Sequence, residues 1–158
     1  MRKFVGQGLL LFAGVVSIPL AKNTRPAQQL PIPQQHRDPR LDTLRRFFGE
    51  LGCPAREYAS AFLEAADDYD LDWRLLPSIS YVESAGGKTG NGTNLFGWDN
   101  GRADFASPIT GIHTVAYRLT HSELYREKDL DEKLAQYNPD VDYARRVKSI
   151  MRQISADQ

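Results

Sequence analysis

Apolar residues recur with helical spacing along most of the chain that follows residue 40. Between residues 41 and 51 they lie on one face of a helix that ends at Gly52. The same spacing predicts further helices over residues 54–69, 72–85, 107–119, 129–137 and 140–154. The pattern therefore predicts a mostly α-helical body.

Polar residues at the ends of these runs predict where the helices begin. Asp72, Ser107 and Asp129 each precede an apolar run, in the position of a helix N-cap. Pro77 falls inside the third run and lacks a backbone N–H, so we expect a kink or a short tight turn before it. Gly86 and Gly87 end that run.

Helical spacing is absent between residues 88 and 107. Glycine occupies positions 90, 92, 97 and 101, and Asp99-Asn100-Gly101 is a turn signal between two short segments that carry aromatic residues. We expect a loop and a small β-hairpin here. The predicted fold class is therefore α+β, mostly α, with a small hairpin or loop lobe.

Residues 1–21 have the features of a secretory signal. Arg2 and Lys3 form a positive region, which the apolar residues 9–16 follow. Cleavage after Ala21 would leave Pro19 where a small residue is usual, and residues 4–21 are about long enough to span a membrane. Both a cleaved signal peptide and an N-terminal membrane anchor therefore fit the segment.

Residues 22–39 are rich in proline and glutamine and lack an apolar period, which predicts an extended linker. The folded domain is expected to occupy residues 40–158. We expect the protein to be exported to the periplasm or cell envelope, either free or anchored to the inner membrane. Only the N-terminal segment is expected to contact a membrane.

Composition excludes several classes of function. The chain has 158 residues, and its 20 basic and 20 acidic side chains balance to a formal net charge of zero. A nucleic-acid-binding protein normally carries a basic stripe, so no nucleic-acid partner is expected. Cys53 is the only cysteine, and no histidine has a partner four positions away. We therefore predict no internal disulfide and no metal site.

Glu83 is the residue best placed for chemistry. It occupies the last turn of the most apolar predicted helix and directly precedes the glycine-rich stretch. A carboxyl group among apolar neighbours has a raised pKa and can act as a general acid near neutral pH. A solvated glutamate is the alternative, although a carboxylate there opposes the negative end of the helix dipole.

Two motifs carry a family resemblance. Residues 75–87, LLPSISYVESAGG, followed by residues 94–98, NLFGW, resemble the lysozyme-like peptidoglycan-cleaving superfamily. The branch that looks most similar contains the endo-β-N-acetylglucosaminidases and lytic transglycosylases. Tyr137-Asn138-Pro139, followed by Tyr143-Ala144, is similar to the C-terminal tyrosine motif of that branch. The resemblance extends over residues 55–154.

The resemblance implies a lysozyme-like, two-lobed catalytic domain with a saccharide groove between the lobes. In that groove Glu83 would protonate the bridging glycosidic oxygen, and Tyr137 would face it, with a packed core tyrosine as the alternative. Ser84 would orient Glu83 or brace the loop. The resemblance also assigns a part in shaping the cleft or binding substrate to Asn94, Phe96, Gly97, Trp98 and Asn138.

The second carboxylate of a typical glycosidase pair is not evident. Asp99 and Asp104 are the candidates in the glycine-rich stretch. Lytic transglycosylases use a single acid/base, and a hydroxyl of the sugar attacks the anomeric carbon. Both hydrolysis and transglycosylation of the β-1,4 bonds between N-acetylmuramic acid and N-acetylglucosamine therefore remain open. Neither route needs a cofactor.

A different class of function also fits the chain. A catalytically silent lysozyme-like module would bind glycan strands, or assist an envelope or secretion assembly through a partner protein. The short chain without a cell-wall-binding repeat suits such a role. Glu83 favours the enzyme, because a binding module has no use for an acid flanked by apolar residues.

Overall fold

A computed structural model describes residues 38–90 and 92–156 of the chain. The predicted signal or anchor over residues 1–21 lies outside these residues, as does the predicted linker up to residue 37. The described part begins with Asp38, whose side chain accepts a hydrogen bond from the backbone N–H of Arg40 and caps the first helix.

The described residues are mostly helical, as predicted. A 3-10 helix over Pro54–Tyr58 precedes α2, so the predicted helix over residues 54–69 has two parts. The α-helices are α1 (Pro39–Glu50), α2 (Ala59–Asp68), α3 (Leu75–Ser84), α4 (Pro108–His121), α5 (Leu130–Tyr137) and α6 (Tyr143–Ala156). None of them is both long and apolar enough to cross a bilayer.

Two of the predicted N-caps are confirmed by their hydrogen bonds. The Ser107 side chain accepts from the backbone N–H of Thr110, and Asp129 forms a reciprocal capping box with Glu132. At α3 the prediction was wrong by two residues, because Asp72 closes a tight turn before the helix begins at Leu75. Pro77 thereby lies in the first turn of α3, where a missing N–H costs no intrahelical bond.

The predicted β-hairpin is wrong. Residues 88–90 and 92–107 form turns and bends, and the described chain contains no strand. Gly97, Asp99, Asn100 and Gly101 all have positive φ, so this backbone curls and cannot pair as extended strands. We call residues 92–107 the glycine loop.

Helix α3 contributes to the hydrophobic core and packs against other helices. Leu76 and Ile79 of α3 are fully buried, and α3 packs against α2 and α6. Two apolar residues of the predicted helical segments are exposed, namely Val141, which is 92% exposed, and Ile109, which is 48% exposed. Val141 precedes α6 and is not part of its apolar face.

The end of α3 is held by a close approach of two backbone segments. Ala85 adopts a left-handed conformation, and the next carbonyl, from Gly86, accepts a hydrogen bond from the N–H of Ala55. A Cβ at Gly86 would lie 2.8 Å from Cβ of Cys53, so a side chain there would collide with the core. This packing fixes the direction in which the last turn of α3 presents Glu83.

Candidate active-site groove

A groove of about 590 Å³ opens where the end of α3 meets the glycine loop. It also borders α4, the segment after α4, and the end of α5. Its walls are formed by Glu83, Gly97, Trp98, Asp99, Asn100, Ala103, Arg118, Leu124, Tyr125, Tyr137 and Asn138. The groove thus contains Glu83, Tyr137 and several of the other residues that the sequence motifs single out.

Glu83 is half-buried in the groove wall, and burial raises the pKa of its carboxyl group. Tyr143 and the Arg146 guanidinium act in the opposite direction on this pKa. Their effect is smaller than that of burial. The Tyr143 hydroxyl is buried without a hydrogen bond of standard geometry among the described residues, and Arg146 is paired with Asp140 at 2.9 Å. A larger share of Glu83 is therefore protonated near neutral pH than for a solvated glutamate.

Gly97 lies directly against the Glu83 carboxyl group. A Cβ built on Gly97 would stand 2.7 Å from Oε2 of Glu83, closer than any van der Waals contact allows. Gly97 also has a φ of +57°, a left-handed conformation that residues with a Cβ adopt only at a cost. Both effects favour glycine at this position, and the loop backbone forms one side of the environment of the Glu83 carboxyl group.

Ser84 connects α3 to the glycine loop. Its hydroxyl lies 2.8 Å from the carbonyl oxygen of Leu95 and 3.0 Å from that of Ser80, and it accepts a hydrogen bond from the N–H of Gly87 at 2.9 Å. Ser84 is buried and does not line the groove. Of its two expected roles, bracing the loop is the one these contacts support.

Replacing Ser84 by Ala is expected to lower the free energy of unfolding by about 2 kcal/mol, because it leaves buried backbone groups without partners. The measurement is chemical denaturation of both proteins. Ser60→Ala, on the exposed face of α2, is the matched control and should change stability little. Equal effects of the two substitutions would contradict the bracing role.

Asn94 and Phe96 support the loop and do not line the groove. The buried side-chain amide of Asn94 donates to the carbonyl oxygens of Trp98 and Ala103 and accepts from the N–H of Trp98. These bonds close the glycine loop in place of the expected strand pairing. Phe96 is fully buried, and its ring packs edge-on against Phe62.

Tyr137 lines the groove, but its hydroxyl does not hydrogen-bond to Glu83. The hydroxyl donates to the carbonyl oxygen of Phe96 at 2.6 Å, which ties the end of α5 to the glycine loop. Burial and the nearby Glu83 charge raise the pKa of the phenol well above its usual range, so it stays protonated. Tyr137 therefore has two roles. It forms part of the groove wall, and its hydroxyl makes a structural hydrogen bond.

Aromatic side chains form much of the groove wall. The Trp98 ring lies edge-on to Tyr137, with centroids 5.4 Å apart, and is tilted against Tyr125 at 6.3 Å. Two further residues that line the groove, Tyr125 and Arg118, were not predicted from the sequence. No local pattern marks them, because they lie outside the motifs and reach the groove only through tertiary packing.

The two candidate second carboxylates differ in position. Asp99 lines the groove, yet its carboxylate pairs with the Arg102 guanidinium at 2.9 Å. Asp104 is exposed and is not among the groove-lining residues. Of the two groove-lining carboxyl groups, only that of Glu83 is half-buried and forms no ion pair with an arginine.

The raised pKa of Glu83 predicts a pH-dependent effect on folding. Because the folded protein binds this proton more tightly than the unfolded chain, the stabilisation is complete below the usual pKa of 4.5 and is lost as pH rises through the raised value. Relative to the wild type, Glu83→Gln should therefore gain stability as pH rises from 4.5 through the raised pKa of Glu83.

Chemical denaturation of both proteins across this range measures that difference. The carboxylates of Asp38, Asp67, Asp72 and Asp140, whose pKa values are lowered, are present in both chains, so their contributions cancel. Parallel stability curves for the two proteins would show that Glu83 titrates as it does in the unfolded chain.

Within residues 38–90 and 92–156, no cluster of histidine, cysteine, aspartate or glutamate side chains has the arrangement of a metal site. Comparisons of this chain with protein-family models, with curated proteins and with solved structures found no match.

Proposed function

We propose that this protein is an exported peptidoglycan-cleaving enzyme that acts on the β-1,4 bonds between N-acetylmuramic acid and N-acetylglucosamine. The observation that carries the proposal is the Glu83 carboxyl group, half-buried and with a raised pKa, in the wall of an aromatic-lined groove. A protonated carboxyl at the edge of a groove can deliver its proton to a bound glycosidic oxygen.

In the proposed reaction, the Glu83 carboxylic acid protonates the bridging oxygen as the bond from that oxygen to the anomeric carbon breaks. Positive charge develops on the sugar ring, and the carboxylate that forms lies next to it. The carboxylate then accepts a proton from a hydroxyl of the same sugar, whose oxygen bonds to the anomeric carbon. The product is a 1,6-anhydro end, no water is consumed, and Glu83 returns to its protonated form.

This single-carboxylate route is favoured over hydrolysis by the surroundings of the aspartates. The carboxylate of Asp99 is already engaged by the Arg102 guanidinium at 2.9 Å, and Asp104 does not line the groove. Retaining and inverting glycosidases both need a second carboxylate that faces the sugar. A hydroxyl of the substrate removes that requirement.

The groove wall suits a sugar chain. The faces and edges of Trp98, Tyr125 and Tyr137 offer apolar surface for pyranose rings, and the side-chain amides of Asn100 and Asn138 offer donors and acceptors for hydroxyl and acetamido groups. Gly97 and Trp98 would contact the sugars nearest Glu83. Ser84, Asn94 and Phe96 would hold the loop that carries them.

The proposal extends to the fold and the location. The helices would form the main lobe of a lysozyme-like domain, and the glycine loop would replace the smaller β lobe. Residues 1–21 would direct the chain to the envelope, and the linker would give the domain reach. A partner in an envelope or secretion assembly would deliver the domain to its glycan.

Incubation of the full chain with purified peptidoglycan sacculi separates this proposal from a silent module. The enzyme releases soluble muropeptides over time. A silent module sediments with the sacculi and releases nothing. Absence of both release and co-sedimentation would exclude peptidoglycan as the substrate.

A further inference from the structure

One groove-lining guanidinium has no ion-pair partner in the part of the chain that the structure describes. Arg118 of α4 lines the groove, and its Cζ atom lies 5.4 Å from the centroid of the Trp98 ring. Among the described residues, its side chain forms neither an ion pair nor a hydrogen bond. The other charged groove-lining residues are Glu83, which burial holds towards its neutral form, and Asp99, whose carboxylate pairs with Arg102 at 2.9 Å.

The Trp98 ring restrains the Arg118 guanidinium without using its donors. A cation–π contact acts through the face of the aromatic ring, so the N–H groups at the rim of the guanidinium remain available. These N–H groups form a planar fork that matches a carboxylate in a bidentate geometry. The groove therefore contains a partly ordered carboxylate receptor on the same wall as Trp98.

We infer that Arg118 binds a carboxylate group of the glycan and so makes the groove selective for acidic over neutral β-1,4-linked amino-sugar chains. This inference rests on the proposed function. In peptidoglycan, the carboxylate comes either from the lactyl ether of muramic acid in strands without peptide or from the stem peptide in strands that retain it. Chitin oligosaccharides have the same linkage and no carboxylate, which makes them the neutral comparison.

Binding to the full-length Glu83→Gln variant tests the inference, because the ligand is then not consumed. Calorimetry would give the Kd of a chitin oligosaccharide, of a peptide-free glycan strand and of a peptide-bearing strand. We expect an acidic strand to bind about tenfold more tightly than chitin, as a charge-assisted bidentate bond predicts. The acidic strand with the lower Kd identifies the source of the carboxylate.

Substitutions at Arg118 in this background provide the specific readout. Arg118→Gln is expected to abolish the preference for acidic strands, so that the ratio of the Kd of chitin to that of an acidic strand falls to about one. Arg118→Lys should retain part of the preference, because the charge remains but the fork is lost. Arg45→Gln, on the exposed face of α1 and outside the groove lining, is the matched control and should retain the full preference.

The outcomes separate the inference from the proposed function. Equal Kd values for chitin and both acidic strands, unchanged in Arg118→Gln, would overturn the inference, while cleavage of peptidoglycan by the wild type would still stand. Failure to bind any of the three glycans, together with absence of cleavage, would overturn both. Circular dichroism of each variant verifies that it is folded.

Discussion

Replacing Glu83 by Gln is expected to reduce the rate of peptidoglycan cleavage by about a thousandfold, within the range that general acid–base catalysis contributes. Glutamine keeps the shape of the side chain but has no proton to deliver to the glycosidic oxygen. The initial rate of muropeptide release from sacculi, followed for the wild type and the variant, gives the ratio.

Two controls make that result specific to the groove. Glu64→Gln removes an exposed carboxylate from α2 and should cleave at the wild-type rate. Thermal unfolding should show that Glu83→Gln is folded, since the substitution removes the need to bury a carboxylate. A folded Glu83→Gln protein that retains the wild-type rate would rule out Glu83 as the acid.

Replacing Gly97 by Ala is expected to reduce the cleavage rate by about a hundredfold, the cost of a small misplacement of a catalytic group. The new Cβ would stand 2.7 Å from Oε2 of Glu83, and the carboxyl is the flexible end of its side chain. The carboxyl group is therefore displaced. The free energy of unfolding falls by only about 1 kcal/mol, because alanine at this position has to adopt a left-handed backbone conformation.

Gly101→Ala is the matched control for this substitution. Gly101 lies in the same loop with a φ of +78°, but a Cβ there would meet no atom within 4 Å. Its backbone strain is therefore comparable, whereas the Glu83 carboxyl is unaffected. We expect both variants to lose similar stability in denaturation experiments and only Gly97→Ala to lose activity. Equal rates for the two would contradict a role for Gly97 in positioning the carboxyl.

The helices could be predicted because their signals are local. Apolar spacing marks the buried faces, and Ser107 and Asp129 cap α4 and α5 with side-chain bonds to residues three positions away. The start of α3 was mispredicted although its signal is also local, because the Asp72 carboxylate bonds to Arg74 in a turn before the helix begins. Whether Asp72 forms a turn or caps the helix depends on neighbouring polar groups, so the spacing of apolar residues does not predict it.

The glycine loop shows why the hairpin prediction failed. Asp99-Asn100-Gly101 does form a turn, but all three residues adopt positive φ. The Asn94 side chain then bonds to the backbone on both sides of the turn, at Trp98 before it and at Ala103 after it. A side-chain amide thus satisfies the groups that a strand ladder would have paired, and turn signals alone do not distinguish the two arrangements.

The residues of the candidate site also differ in how far the sequence alone predicts them. Glu83 was predictable from its place at the end of an apolar helix before a glycine-rich segment. Tyr137 was predicted at the groove, but not its bond to the Phe96 carbonyl, which joins segments far apart in the chain. Arg118 and Tyr125 belong to α4 and the segment after it, so only the packed structure brings them to the groove.

Mass spectrometry of the fragments that the full chain releases from purified peptidoglycan tests the central claim most directly, with Glu83→Gln run alongside. The claim that Glu83 alone supplies acid and base predicts 1,6-anhydro-muramyl ends, one water lighter than reducing ends, from the wild type and no fragments from the variant. Reducing ends would contradict the single-carboxylate route, and identical fragments from both proteins would contradict the role of Glu83 itself.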